Sequence, residues 1–410
     1  MSPQCRFCHA PLDQSVIDLG HTPLANSYLP MNDPNAIAKE RRFALHVMVC
    51  TQCWLVQTTE TVPADAIFDH GYAYLSSFST GWVAHAKRFA DEMVARFSLP
   101  KSARIVEIAS NDGYLLQHFK KMGFGTLGIE PAGHAAELAR AKGIETRIAF
   151  FGEDQARALR TEGVLADLMV ANNVLAHVPD IADFIRGFST LLAPHGVASF
   201  EFPHLAELLK HAQFDTIYHE HYAYLSLGFV ERLMTKAGLE VFDVIPLPTH
   251  GGSLRVLVGH RGAHAVQPGR AQTRATETEM QLERPKSYAA LAQHTAQIVA
   301  DFHRFVKSAK QAKKTIAGYG AAAKGNTFLN TAQAGSHDLA FVVDRNPEKQ
   351  NHLLPGSHIP VYAPAAIAQH KPDYLIILPW NLADEVMAQQ AQIRDWGGQF
   401  VTFIPKLQIR

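Results

Sequence analysis

All four cysteines of the 410-residue chain fall within its first 53 positions, as "CRFC" (Cys5, Cys8) and "CTQC" (Cys50, Cys53). A Cys-x-x-Cys turn sets two thiolates on one side of a tetrahedral cation, and two such turns complete a shell around Zn²⁺. Four thiolates leave no position for water, so the expected role is structural, with metal binding adding about 10 kcal/mol or more to folding. Between the pairs runs "DLGHTPLANSYLP", polar and proline-containing, which is expected to loop out from the knuckles. A second cluster is "FDTIYHEHYAYLS", where three tyrosines, two histidines and a glutamate occupy seven consecutive positions. Buried strands do not carry so many polar heads, and plain surface loops do not carry so many rings. Two readings stay open, a hydrogen-bonded aromatic loop and a reactive site. A metal centre is disfavoured, because "HEH" lacks the H-E-x-x-H spacing and His219 and His221 have no evident third ligand.

Elements able to position these groups follow the cysteines. After a helix ("TGWVAHAKRFADEMVARF"), Ile105, Val106 and Ile108 read as a buried strand and "SNDG" as a turn. Leu115, Leu116 and Phe119 then mark one side of a helix, and a second strand, "TLGIE", ends at Glu130. This is the opening of a doubly wound α/β unit, whose ligand lies at the carboxyl ends of the strands with an acid placed for ribose hydroxyls. The turn after the first strand carries no GxGxxG. Glu107 and Asp112 would repel a pyrophosphate but suit a sulfonium cation, which points to S-adenosylmethionine (SAM) rather than NAD. A fourth strand (168 to 171) runs into Asn172 and Asn173, and a fifth ends at Glu201.

From about residue 314 the pattern repeats. "KKTIAGYGAAAKGNTFLNTA" supplies a strand, a glycine-rich turn and a helix, and "LAFVVDRNPEKQ" a strand ending in Asp344, a second Rossmann-like unit. Lys324 and Asn326 are its candidate substrate ligands, Lys324 as a diphosphate holder beside the Gly325 amide. Tyr288, Leu291, Ile298, Phe302 and Phe305 mark a connector helix over about 285–310. In "HGGSLRV", His250 and Arg255 are further candidates for the substrate, since two glycines permit close backbone approach and Arg suits phosphate. The expected division is a zinc-binding domain over 1–72, a SAM-binding domain over 73–245 and a C-terminal Rossmann-like domain over 246–410.

Bulk properties set exclusions. Positive and negative side chains balance at 38 each, which removes the diffuse attraction that nucleic acids and anionic membranes rely on. No apolar run approaches the roughly 18 residues of a spanning helix, and "MSPQCRFCHA" lacks a secretory core. A cytoplasmic enzyme without nucleic-acid or membrane partners is expected.

The ordered set of Cys-x-x-Cys pairs, "GYAYLSS", "VEIASNDGYLL", "GIEPA", "FDTIYHEHYAYLS", "HGGSLRV", "GYGAAAKGNT" and "VVDRNPEKQ" resembles the nucleotide-sugar C-methyltransferases, from Cys5 to about Pro405. The resemblance implies a class I SAM-dependent methyltransferase domain between an N-terminal zinc-binding module and a C-terminal Rossmann-like domain that helps close over a nucleotide-linked 4-keto-6-deoxysugar. It matches the four cysteines to the zinc ligands, and Glu107, Asn111 and Asp112 to the SAM loop. Glu130 matches the ribose acid, and Asn172 and Asn173 lie beside the cofactor. Tyr218, Glu220, His221 and Tyr72 match catalytic positions. The chief departure is Ala109, where the family more often has glycine.

Such chemistry explains the residue types. A C–H beside a ketone is acidic because its electron pair can move to the ketone oxygen, so the site needs a base and an oxyanion stabiliser. His221 suits the base, Tyr218 and Tyr72 the polarising groups and Glu220 their orienter. His219 would point the other way in an extended segment, and Tyr222 and Tyr224 are scaffolding. An O- or N-methyltransferase of another small molecule is the alternative. A zinc-bearing RNA-binding methyltransferase is disfavoured by the neutral charge.

Overall fold

The computed structural model describes residues 3–60, 62–63 and 75–410. The N-terminal module carries β1 (Gln14–Thr22), β2 (Leu29–Pro30), β3 (Phe43–Val49) and β4 (Val56–Thr58). Strands β1, β3 and β4 pair antiparallel. The stretch expected to loop out is therefore mostly ordered: Asp18–Thr22 extend β1 and Leu29–Pro30 form β2.

The central unit carries β5 (Arg104–Ile108), β6 (Gly125–Ile129), β7 (Thr146–Arg147), β8 (Ala166–Asn172), β9 (Leu192–Pro203), β10 (Ala223–Tyr224), β11 (Leu239–Leu247) and β12 (Ser253–His260). Seven of them form a sheet of order β11-β12-β9-β8-β5-β6-β7, parallel except at β12. Strand order reverses between β5 and β8, the crevice where doubly wound sheets take their ligands. In β5, Ile105, Val106 and Ile108 are buried. The helix before it, Thr80–Phe97, is capped by the Ser79 side chain and buries His85, Ala86, Phe89, Ala90 and Met93 at helical spacing. Because β12 pairs with both β9 and β11, residues 253–260 belong to this sheet.

The C-terminal unit carries β13 (Ile316–Tyr319), β14 (Val342–Val343), β15 (His352–Leu353), β16 (Pro360–Tyr362), β17 (Tyr374–Ile377), β18 (Gln399–Thr402) and β19 (Gln408–Ile409). Its sheet runs β19-β18-β17-β13-β14-β16-β15-β2, so the N-terminal module supplies the last strand. The connector helix Ala289–Gln311 buries Leu291, Ile298, Phe302 and Phe305, with Phe302 edge-on to Phe328 and Phe403. The module also takes a strand: β10, directly after the "YHEH" motif, pairs with β4. Its knuckle packs on the central core through Phe7 and Phe229, whose centroids lie 5.3 Å apart. No helix among the described residues is long and apolar enough to cross a membrane.

Candidate active site

The four cysteine Sγ atoms lie within 4.8 Å of one another, with Cys5 and Cys53 at 3.5 Å and Cys8 and Cys50 at 3.4 Å. Zn–S bonds of about 2.3 Å give tetrahedral edges of nearly 4 Å, so the donor set fits Zn²⁺. Gln57 Nε2 donates to Cys5 Sγ at 3.2 Å, the outer-shell contact that orients a thiolate ligand. Arg6, between the first two ligands, donates to the Tyr222 carbonyl, and its guanidinium lies over the Tyr222 ring. The knuckle is thereby tied to the peptide that follows His221.

At the carboxyl edge of the central sheet, Glu107, Asp112 and Glu130 are all buried. Burial, together with Glu130 and Asp112, raises the Glu107 carboxyl well above the usual carboxylate range. Glu107 Oε2, Asp112 Oδ1 and Asn172 Oδ1 are buried acceptors with no hydrogen-bond partner among the described residues. Spare acceptors and crowded acids fit a cationic ligand bearing hydroxyl and amino donors, as SAM does. Glu130 also braces the turn that follows β5, with Oε2 accepting from the Asn111 amide and Oε1 from the Ala132 amide, both at 2.8 Å. Asn111 Oδ1 in turn accepts from the Ser76 amide at 2.9 Å. Asn173 lies just beyond β8, donating its amide to the Glu201 carbonyl at 2.7 Å. Ala109 has φ 53°, in the left-handed region that favours glycine.

The "YHEH" motif follows the short turn Phe214–Thr216. His221 Nδ1–H donates to the Thr216 carbonyl at 2.8 Å, which leaves Nε2 with its lone pair in the neutral ring. Burial first, then the neighbouring His177, hold its pKa well below the ordinary histidine value. The Tyr218 ring lies 4.0 Å from the His221 ring, and His177 lies 4.6 Å away edge-on. His219 points elsewhere, to the Phe43 carbonyl at 3.3 Å. Glu220 Oε1 accepts from Asn26 Nδ2 at 2.6 Å. Tyr72 lies outside the described residues.

The C-terminal unit meets this loop through Asp215, Lys324 and Trp380. Trp380 Nε1 donates to Asp215 Oδ2 at 2.7 Å, and burial raises that carboxyl to about 6. Lys324 Nζ donates to Asn381 Oδ1 at 2.8 Å and sits 5.0 Å from the Trp380 ring centroid. His250 has φ 55° and its ring lies 5.4 Å from Trp82; burial and then Lys324 lower its pKa to about 4. The following Gly251 is required, since a Cβ there would strike the Trp380 ring. Arg255 is buried, with Nε on Glu201 and Nη1 on Glu92, each at 2.7 Å. Asn326 Nδ2 holds the Ala25 carbonyl at 2.6 Å. His177, Asp215, Trp380 and Asn26 were not singled out by sequence. Asp215 stood inside the tyrosine-rich stretch and Asn26 inside the stretch between the cysteine pairs, whereas nothing quoted above marks His177 or Trp380.

Comparison with known proteins gives three consecutive matches: a zinc binding domain at residues 5–68, a methyltransferase domain at 82–244 and a C-methyltransferase C-terminal domain at 248–405. The C-methyltransferase NovU of Streptomyces niveus is 35% identical over 407 residues, 99% of this chain and 96% of that protein. Among solved structures, the magnesium protoporphyrin IX methyltransferase of Synechocystis PCC 6803 with bound SAM is 14% identical, covering 43% of this chain and 79% of its own (TM-score 0.33). A SAM-dependent methyltransferase from Clostridium acetobutylicum is likewise 14% identical, covering 43% of this chain and 91% of its own (TM-score 0.36). The identity across nearly the full length, together with the consecutive zinc-binding, methyltransferase and C-terminal domain matches, places this chain in the family of SAM-dependent C-methyltransferases.

Proposed function

We propose that the enzyme methylates the carbon beside the ketone, C-3′, of a nucleotide-linked 4-keto-6-deoxysugar, with His221 as the base. The observation that carries this reading is the placement of His221: its Nδ1–H is committed to the Thr216 carbonyl, which leaves Nε2 as a proton acceptor. The substrate C–H proton passes to Nε2, and its electron pair moves to the ketone oxygen as the enolate. Tyr218, tilted against the imidazole, donates to that developing oxyanion, with Tyr72 in the same role. Glu220, held by Asn26, orients the pair or receives a sugar hydroxyl. SAM, when bound, supplies the electrophilic methyl group, and Glu107, Asn111, Asp112, Glu130, Asn172 and Asn173 form its side of the cleft.

Lys324, beside the Trp380 that holds Asp215, and His250, beside Trp82, are the groups assigned to the nucleotide-sugar. Arg255 and Asn326 support the cleft at one remove: the guanidinium is engaged by Glu201 and Glu92, and Asn326 is engaged by the Ala25 carbonyl. The nucleotide-sugar class rests on the motifs "IYHEH" and "GYGAAAKGNT". The test is to incubate the enzyme with dTDP-, GDP- and CDP-linked 4-keto-6-deoxyhexoses in D₂O, with and without SAM. Exchange of the proton beside the ketone and a mass gain of one methyl group are expected. His221→Asn should reduce exchange by about 10² to 10⁴. Unchanged exchange in that variant removes His221 from the role, and no methyl gain on any of these sugars sinks the substrate class.

A further inference from the structure

Residues 25–30 of the zinc-binding module lie between the "YHEH" loop and the C-terminal unit, and each successive group is anchored. The Ala25 carbonyl accepts from Asn326 Nδ2 at 2.6 Å, and the Tyr28 hydroxyl donates to the Ala321 carbonyl at 2.6 Å. Lys349 Nζ donates to the same carbonyl at 2.7 Å and lies 5.3 Å from the Tyr28 ring centroid. Leu29 and Pro30 then enter the C-terminal sheet beside β15. With the backbone fixed on both sides, Asn26 presents Nδ2 to Glu220 Oε1 at 2.6 Å. The reverse flip of the amide would set two oxygens against each other, so the donor end is dictated by the carboxylate. A neutral amide orients Glu220 without cancelling its charge, which a lysine or arginine would do.

We propose that Asn26 is a positioning residue of the active site, fixing Glu220 and through it the adjoining His221, so that the zinc-binding module forms one wall of the cleft. The proposal rests on the reading that Glu220 and His221 serve the methyl transfer. Asn26→Asp and Asn26→Ala test it, each checked for bound zinc. In Asn26→Asp two carboxyls share one contact, and the folded state retains a proton that the unfolded chain loses near pH 4. Its melting temperature should therefore fall relative to the parent as pH rises from about 4 to 8, while Asn26→Ala shows no such trend. In methyl transfer to the same mixed 4-ketosugars, both variants should lose about tenfold or more in kcat at pH 8, with the KM for SAM unchanged. Asn26→Asp should regain activity toward acid pH, where a protonated carboxyl donates as the amide did.

A melting curve for Asn26→Asp that tracks the parent across this range shows that the contact is absent and overturns the proposal. A pH-dependent melting gap with kcat within twofold of the parent overturns the positioning role. The melting measurement needs no substrate, so its result for the contact stands even if His221→Asn still exchanges the substrate proton and the base assignment falls.

Discussion

The central and C-terminal sheets open the same way and end in opposite conditions. In each, the acid closing the second strand accepts the backbone N–H of the turn after the first: Asn111 to Glu130 in one, Ala321 to Asp344 in the other, both at 2.8 Å. Beyond that shared brace the edges diverge. The central edge keeps buried acceptors on Glu107, Asp112 and Asn172 with no partner among the described residues. At the C-terminal edge most groups are met by the chain itself: Asp344 Oδ1 takes the Asn346 amide, and the Ala321 carbonyl takes Tyr28 and Lys349. Asn326 Oδ1 is the exception. One edge is kept for a ligand, while much of the other is a dock for the N-terminal module. The same architecture thus serves two ends, and the side chains at the strand tips decide which.

Removing zinc should break this comparison most severely. The module pairs with both neighbouring units, so the folding free energy the metal contributes, about 10 kcal/mol, is felt by both edges at once. Chelation should lower the melting temperature of the whole chain, followed by calorimetry with and without a chelator. An unchanged transition would show that the two edges do not depend on the module.

Substitution at the central edge comes next. Asp112→Asn combined with Glu107→Gln should weaken SAM by about one to two orders of magnitude in calorimetric titration, whereas Asp344→Asn at the matching place should leave it within about twofold. The sign of the pH effect follows from Glu107. Its carboxyl is raised by burial and by its acidic neighbours, so a bound cation expels a proton. SAM affinity should therefore rise with pH through the range in which Glu107 loses that proton, and S-adenosylhomocysteine, with no positive sulfur, should respond less. Equal pH dependence of the two would remove the carboxylates as the cation's partners.

The smallest effect is at Ala109. Its left-handed backbone strains any residue with a Cβ, so Ala109→Gly should stabilise by up to about 1 kcal/mol, a rise of a few degrees in melting temperature. A loss of stability would mean that the Ala109 methyl packs favourably enough to outweigh the strain.

How much of this was legible in the sequence depended on distance along the chain. The helix Thr80–Phe97, strands β5, β6, β8 and β9 and the zinc pairs could be read because their signals are local: a 3.6-residue apolar period, short aliphatic runs, a repeated Cys-x-x-Cys. The place of Glu107, Asp112 and Asn172 at the carboxyl edge of the sheet could be read because they lie at the ends of aliphatic strand runs or in the turn directly after one. Strands β2 and β10, two residues each, carry no periodicity, and only their partners make them strands. Asn26 on Glu220 and Trp380 on Asp215 are likewise contacts between distant segments, which composition does not announce. Arg255 shows the converse limit, since a side chain suited to phosphate is engaged by Glu201 and Glu92.

The exchange of strands has a consequence for how the protein is made. On the ribosome the first 60 residues emerge well before their partners. The free edge of β4 stays open until Ala223 and Tyr224 arrive, and β2 has no neighbour until His352 and Leu353 are synthesised. The cysteine knuckle, whose four ligands are all present by residue 53, is the part of the module that can close early. Loading of the ion gives the nascent N-terminus one fixed point while the two sheets it must join are still being translated.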